Sequence, residues 1–241
     1  MGAKELRYMV EIVARRIAGD VVLSDNPSAA LRKWRELFGF SQSEVAKAMG
    51  VAPSVLSDYE KGKRAPGLKF LRKFVEALIR LDEGRGFQTL KKLVGNLRIV
   101  GGAVIDMGEF SEPMRLDEAL EIVKGVPVSG IVEDRLVYGY TILDSVEAIK
   151  NLSGNDFWYI MGLTTERIMV FTRVSMGRSP MVAVRVAPVK PAIVVIHGPR
   201  RTVDPLAIAL AEREGIPLVI SLADSVEEIV SALRERAITL Y

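Results

Sequence analysis

Apolar residues recur at spacings of three and four through the first third of the chain, and in short continuous runs through the rest. The chain therefore opens helical and continues as a mixture of strands and helices. In residues 3–18, Leu6, Met9, Val10, Ile12, Val13 and Ile17 stand among charges and predict an amphipathic helix, which Asp20 to Pro27 breaks. Asn26 followed by Pro27 supplies a capping residue and a proline at the first helical position, and Leu31, Trp34 and Phe38 form the stripe of a second helix. Gly39 stops it. Ser41 with Glu44 makes a capping box that opens a third helix, with Val45, Ala46 and Met49 inward. Gly50 ends that short helix, a tight turn carries Val51 inward, and Pro53 starts a fourth running to Glu60 with Leu56 and Tyr59 buried. After the basic loop Lys61 to Gly67, the residues Leu68, Leu71, Phe74, Val75 and Leu78 predict a fifth helix. The polar run Asp82 to Gly86 reads as a linker.

Beyond the linker, Leu97 to Ile105 and Ile131 to Leu143 read as strands, the latter turning near Glu133 and Asp134. Asp144 to Leu152 reads as a helix, while Phe157 to Met161, Arg167 to Val174 and Met181 to Val186 read as extended. The acidic stretch Asp106, Glu109, Glu112, Asp117, Glu118 and Glu121 reads as a solvated helix face. The last part is the clearest: strand Ala192 to Ile196, helix Asp204 to Glu214, strand Ile216 to Ser221, helix Ser225 to Arg236. That order implies a parallel pair with a right-handed crossover. The expected architecture is multi-domain: an all-α N-terminal domain followed by an α/β domain with a mixed sheet. Residues 1–25 form an amphipathic helix and connection, 26–86 a helical domain, and 87–241 an α/β domain for sensing or dimerisation.

Charge sharpens this division. Between Asn26 and Lys92 there are fourteen basic residues against seven acidic, although the whole chain carries only +3. A local basic excess is what a phosphate-binding surface needs, because neutralising phosphates releases condensed counterions; a solvated surface without a partner has the same composition. Cysteine is absent, which removes disulfides, thiolate metal sites and cysteine nucleophiles. Neither a spanning helix nor a signal peptide fits the charged N-terminus, so the expectation is a cytoplasmic protein without a membrane partner.

From Leu31 to Leu78 the chain resembles the lambda-repressor-like (Cro/C1, XRE-type) helix-turn-helix family. The resemblance rests on Trp34-Arg35, Ser41 to Ala46, Gly50-Val51, Ser54 to Glu60 and Gly62 to Pro66. It implies that Ala46 is small because two helices cross there, and that Val51 and Leu56 pin the recognition helix. It also implies that Arg35 and Glu60 form an internal salt bridge. The helix from Pro53 to Glu60 would enter the major groove of double-stranded DNA. Pro53, Ser54, Ser57 and Asp58 would lie near base edges, and Gln42, Lys61, Lys63 and Arg64 at phosphates. Asp58 departs from the longer Gln, Arg or Asn side chains common there; it accepts only from a cytosine amino group and is repelled by phosphate. Such modules usually act as homodimers, held here by the first helix or by the C-terminal domain; equally, the first helix packs on its own subunit. The arrangement also resembles an archaeal group of predicted regulators, and Gly215 to Ile229 is similar to the end of a DRTGG-type regulatory domain.

In the second domain, His197, Arg200, Arg201 and Thr202 lie between an apolar strand and a helix, where parallel sheets bind ligands. Two arginines there would hold a small anionic effector; an ordinary surface loop is the other reading. Met161 to Arg167 offers hydroxyls beside a carboxylate, but a turn between strands needs the same residues, and the run reads as structural. With His197 the only histidine, no catalytic set, metal cluster or cofactor motif is expected. The sequence reads as a DNA-binding transcription regulator and not an enzyme. The rivals are an enzyme that uses the helix-turn-helix for targeting, and a protein-interaction adaptor.

Overall fold

The structure, a computed structural model, describes residues 3–94, 102–131, 135–153, 156–161, 164–199 and 202–238. It divides into a helical unit and an α/β unit.

The helical unit contains α1 (Ala3–Leu23), α2 (Pro27–Leu37), α3 (Gln42–Met49), α4 (Pro53–Glu60), α5 (Leu68–Gly84) and α6 (Gln88–Val94). Caps punctuate it as the sequence requires. The Asn26 side chain accepts from Ala29 N at 3.0 Å, with Pro27 in the first helical turn of α2. At Ser41 the capping box is complete: the hydroxyl accepts from Glu44 N, and the Glu44 carboxylate accepts from Ser41 N at 2.7 Å. The Ser41 N–H and then its hydroxyl hold the Glu44 carboxyl below its ordinary value of 4.5. Gly50 caps α3 in the left-handed conformation at φ 69°, and Val51 N donates back to Ala46 O.

The first helix runs to Leu23, further than its polarity predicts, and lays Met9, Val10, Val13, Ala14, Ile17 and Val21 into one core with Leu31, Phe38, Leu56 and Phe74. Asp82 is no linker residue. It is fully buried and accepts from Thr89 N and Leu90 N, so it caps α6, and Phe87 and Leu90 join the helical core. Residues 87–94, read above as the start of the second domain, thus pack with the first.

The α/β unit contains β1 (Val104–Arg115), α7 (Leu116–Ile122), β2 (Gly125–Pro127), β3 (Leu136–Asp144), α8 (Ser145–Asn151), α9 (Phe157–Ile160), β4 (Arg167–Thr172), α10 (Arg178–Val186), β5 (Ile193–His197), α11 (Pro205–Glu214), β6 (Leu218–Ser221) and α12 (Val226–Arg234). Its sheet has the order β1-β3-β4-β5-β6-β2. The four central strands are parallel and the two edges antiparallel, so the mixed sheet is as expected. The central strands are apolar on both faces because both are covered. Ile142, Ile168, Val170 and Val195 pack with α7 and α12, while Leu143, Met169, Phe171 and Ile196 pack with α9, α10 and α11.

Three sequence expectations need correction. Residues 157–160 and 178–186 are helical, not extended; in α10, Met181 and Val184 are buried at helical spacing while Val186 is exposed. Leu97 to Ile105 and the turn near Glu133 and Asp134 lie partly outside the described residues. The acidic stretch begins as strand β1, and two of its carboxylates are buried and paired. Asp106 accepts from Tyr140 Oη and Arg234 Nε, both at 2.8 Å. Glu109 meets Arg167, whose side chain is fully buried, at 3.0 Å. Arg167 also donates to the carbonyls of Gly108, Tyr140 and Met161, so its charge is compensated on several sides. Gly139 has to be glycine, because a Cβ there would stand 2.6 Å from Gly108 O and 2.7 Å from the Arg167 guanidinium.

Candidate nucleic-acid interface

The site is built from two short helices and a loop. Ala46, fully buried, lets α3 and α4 approach, and Leu56 anchors α4 in the core, burial worth about 1.5–3 kcal/mol for such a side chain. A second anchor is ionic. Arg35 on α2 donates to Glu60, Nε to Oε1 at 2.7 Å and Nη2 to Oε2 at 2.9 Å, and its Nη1 reaches Phe40 O. The Glu60 carboxylate, chiefly by this hydrogen bonding, raises the pKa of the Arg35 guanidinium. A third anchor was missed in the sequence: Tyr59 stacks on Phe70 of α5 with ring centroids 3.7 Å apart. Phe70 belongs to the inward face in place of Leu68, which is 81% exposed. Its signal was the helical spacing Phe70, Phe74 and Ala77, obscured by the leucine two positions earlier.

These anchors leave the opposite side of α4 in solvent. Pro53 and Ser54 are exposed, Ser57 and Asp58 half-exposed, and Ala52 offers no side-chain cap; Pro53 has no N–H and Val55 N donates to Ala52 O at 2.9 Å, so in the first turn of α4 the Ser54 N–H is left for an outside acceptor. Lys61, Lys63 and Arg64 are exposed in the loop that follows. Gly62 turns that loop at φ 75°, with Ser28 at the start of α2 lying 3.7 Å from where a Cβ would sit. Asp58 is less repulsive than its charge suggests, since Lys63 Nζ lies 3.5 Å from its carboxylate and Lys63 N donates to its carbonyl. Gln42 is half-buried and gives one amide N–H to Glu60 Oε2 at 2.8 Å, which joins it to the Arg35 pair and leaves its second N–H for another acceptor.

A helix-turn-helix family of the HTH_3 type matches residues 31–80, the stretch that carries this geometry. Over nearly its whole length the chain is also similar to two archaeal proteins. It is 48% identical to an uncharacterized HTH-type transcriptional regulator of Archaeoglobus fulgidus, over 93% of this chain and 97% of that one. It is 44% identical to another from Methanocaldococcus jannaschii, over 94% and 95%. The chain belongs to this family of HTH-type transcriptional regulators. No solved structure gives a significant match. The DRTGG-type resemblance near the C-terminus is not confirmed.

Of the four residues read as an anion site in the α/β unit of the regulator, His197 and Thr202 are described. His197, at the end of β5, turns its ring to Ala223 O at 3.1 Å, toward the face covered by α12. Thr202 is exposed, and Arg200 and Arg201 lie outside the described residues. In the Met161 to Arg167 run, the Thr164 hydroxyl accepts from Glu166 N, a local turn; Gly162 and Leu163 lie outside the described residues. No described helix is long and apolar enough to cross a membrane.

Proposed function

We propose that the protein is a sequence-specific regulator that binds double-stranded DNA as a homodimer, with α4 in the major groove and the α/β unit responding to a small anionic effector. One observation carries the reading: α4 is locked on its inner side by Leu56, Tyr59 and Glu60, yet its N-terminus and the adjoining cations stand in solvent. Pro53, Ser54, Ser57 and Asp58 then read base edges, and Gln42, Lys61, Lys63 and Arg64 grip the backbone. The first helix spends its inner face on its own unit. What supports self-association is the apolar groove between α1 and α5, lined by Ala18, Val22, Leu68 and Val75, with Val22 and Leu68 exposed at its edge.

Selection of bound fragments from genomic DNA with the full chain tests the reading. A site with two-fold symmetry and half-sites about 34 Å apart is the expected result. Arg64→Ala weakens binding alike on all sequences and reduces the salt slope by about 1, whereas Ser54→Ala changes the preferred bases. Fragments without any common sequence would overturn sequence specificity, and a site without symmetry would overturn the dimer.

A further inference from the structure

At the C-terminal ends of β3 and β4 the chain turns twice to the same face of the sheet, into α8 and into the loop Arg173 to Gly177 that leads to α10. A cleft of about 470 Å³ lies there, lined among others by Ser145, Arg173, Ser175, Gly177, Arg178 and Ser179. It shares Ser145, Ile149, Ser179 and Pro180 with an apolar trough of about 160 Å³ that continues along Leu152, Phe171, Ala183 and Val186.

The nine-residue helix α10 starts at this cleft without a side-chain cap. Gly177 holds its N-cap position at φ 90°, and the N–H groups of Arg178 and Ser179, in the first turn, have no intrahelical acceptor. A second observation is independent of that terminus. Ser145, in the wall of both spaces, is only 6% exposed, and its Oγ has no hydrogen-bond partner. A buried hydroxyl without a partner is rare in a folded protein and marks a place where an outside polar atom completes the structure.

The charges fit the same reading. Arg173 reaches Asp144 at 2.9 Å and Arg178 reaches Asp204 at 2.7 Å, yet both arginine side chains remain more than half exposed. Both carboxylates are committed elsewhere: Asp144 caps α8 through Val146 N and Glu147 N, and Asp204 caps α11 through Leu206 N. Two arginines against Asp144 and Asp204, the latter in the lining of the cleft, leave the mouth without net charge, so what is open to an anion is the exposed part of the two arginines and the start of α10. Arg173 holds φ 57°, an uncommon left-handed conformation for a residue other than glycine.

We propose that this cleft binds a phosphate monoester with an apolar or aromatic body, of the chemical class of a nucleoside 5′-monophosphate. The phosphate sits at the N-terminus of α10 between Arg173 and Arg178, the Ser145 hydroxyl bonds the ligand, and the body lies along Phe171 and Leu152. His197, on the opposite face of the sheet, takes no part. The proposal gives the effector part of the regulator reading a place and a ligand class, and binding itself is measured without DNA.

Calorimetric titration of the full chain with AMP, GMP, CMP, UMP, adenosine and inorganic phosphate tests it. The expected result is saturable binding of at least one nucleotide, with adenosine and inorganic phosphate each at least about tenfold weaker. Arg178→Ala weakens that binding about tenfold and Ser145→Ala about fivefold, the loss expected for a charge-assisted and a neutral hydrogen bond, with thermal melting unchanged for the exposed Arg178 variant. No saturable binding of any of the four at millimolar concentration overturns the proposal, as does equal affinity for inorganic phosphate. Weakening by His197→Ala but not by Arg178→Ala or Ser145→Ala would place the ligand at the other loop and overturn it too. Displacement of the nucleotide by a duplex lacking the selected site would give the cleft to the DNA backbone instead. DNA binding by the same preparation separates the two readings. Its loss with nucleotide binding intact sinks the helical interface alone, and the converse sinks the cleft alone.

Discussion

Each unit contains a buried arginine paired with a glutamate, and the two pairs solve different problems. Arg35 and Glu60 join α2 to the end of α4, and through Gln42 they extend to the start of α3. Their carboxylate end is buried and their guanidinium edge is partly open, so the pair orients a helix that must present its other side outward. Arg167 and Glu109 join β4 to β1 across β3, with the arginine wholly enclosed and bonded to three carbonyls besides. Here the small opening is on the carboxylate and the guanidinium has none, and the pair ties an edge strand to the sheet. A buried ion pair is thus weak evidence of function by itself; what matters is whether the element it holds has a free face.

The largest effect expected is at the enclosed pair. Arg167→Ala leaves Glu109 buried without its guanidinium and takes one donor from each of three carbonyls, and should cost about 3–5 kcal/mol in denaturant unfolding of the α/β unit. A cost below about 1 kcal/mol would mean that water reaches Glu109 and that the two pairs are not different in kind.

Glu60→Ala comes next. It strands Arg35 and releases Gln42, and is expected to lower the stability of the helical unit by about 3 kcal/mol while weakening DNA binding. Glu60→Gln, which keeps the shape and part of the hydrogen bonding, should lose less of both. Equal DNA affinity in Glu60→Ala and the parent, at a temperature where both are folded, would show that the pair does not orient α4.

Ser41→Ala removes the cap of α3 and should cost about 1 kcal/mol by thermal melting, with no effect on the α/β transition. An equal shift of both transitions would mean that the units do not unfold separately.

The smallest effect is with acid. Glu44 and Asp20 have folded pKa values below their ordinary values of 4.5 and 3.8, through the Ser41 N–H and the Lys33 ammonium respectively. A depressed carboxyl stabilises the folded state above its unfolded value, and that contribution is lost as pH falls through the folded one. Melting of the helical unit should therefore be level from pH 7 to about 5 and decline below about 4.5; the Glu44→Gln variant should show a shallower decline. A decline already complete at pH 5 would exclude these carboxyls as its cause.

From α2 to α5 the helical unit was legible to within a few residues because its signals are local. Asn26-Pro27, Ser41 with Glu44, and Gly50 are caps whose chemistry is satisfied within four residues, so they act the same in any tertiary context. The family resemblance added the Arg35–Glu60 pair, which periodicity does not show. The α/β unit was legible where runs were apolar and well bounded, as in β4, β5 and β6, and where a capping residue opens a helix, as Asp144, Asp204 and Ser225 do for α8, α11 and α12. Met181 to Val186, rich in valine, reads equally as a strand or a buried helix face, and it is helical because Gly177 starts a turn and Met181 and Val184 meet α11 and the sheet.

The sequence by itself determined where α2, α3 and α4 start and stop, which strands of the second unit are buried on both faces, and that the cations gather beside α4. Only the tertiary structure decided that Asp82, Asp106 and Glu109 are interior, that Phe70 supports Tyr59, and that Ser145 lacks a partner beside the start of α10. The reason is physical. A cap or a stripe is settled by neighbours a few bonds away, whereas the environment of a charge or hydroxyl depends on which distant strand the topology sets against it.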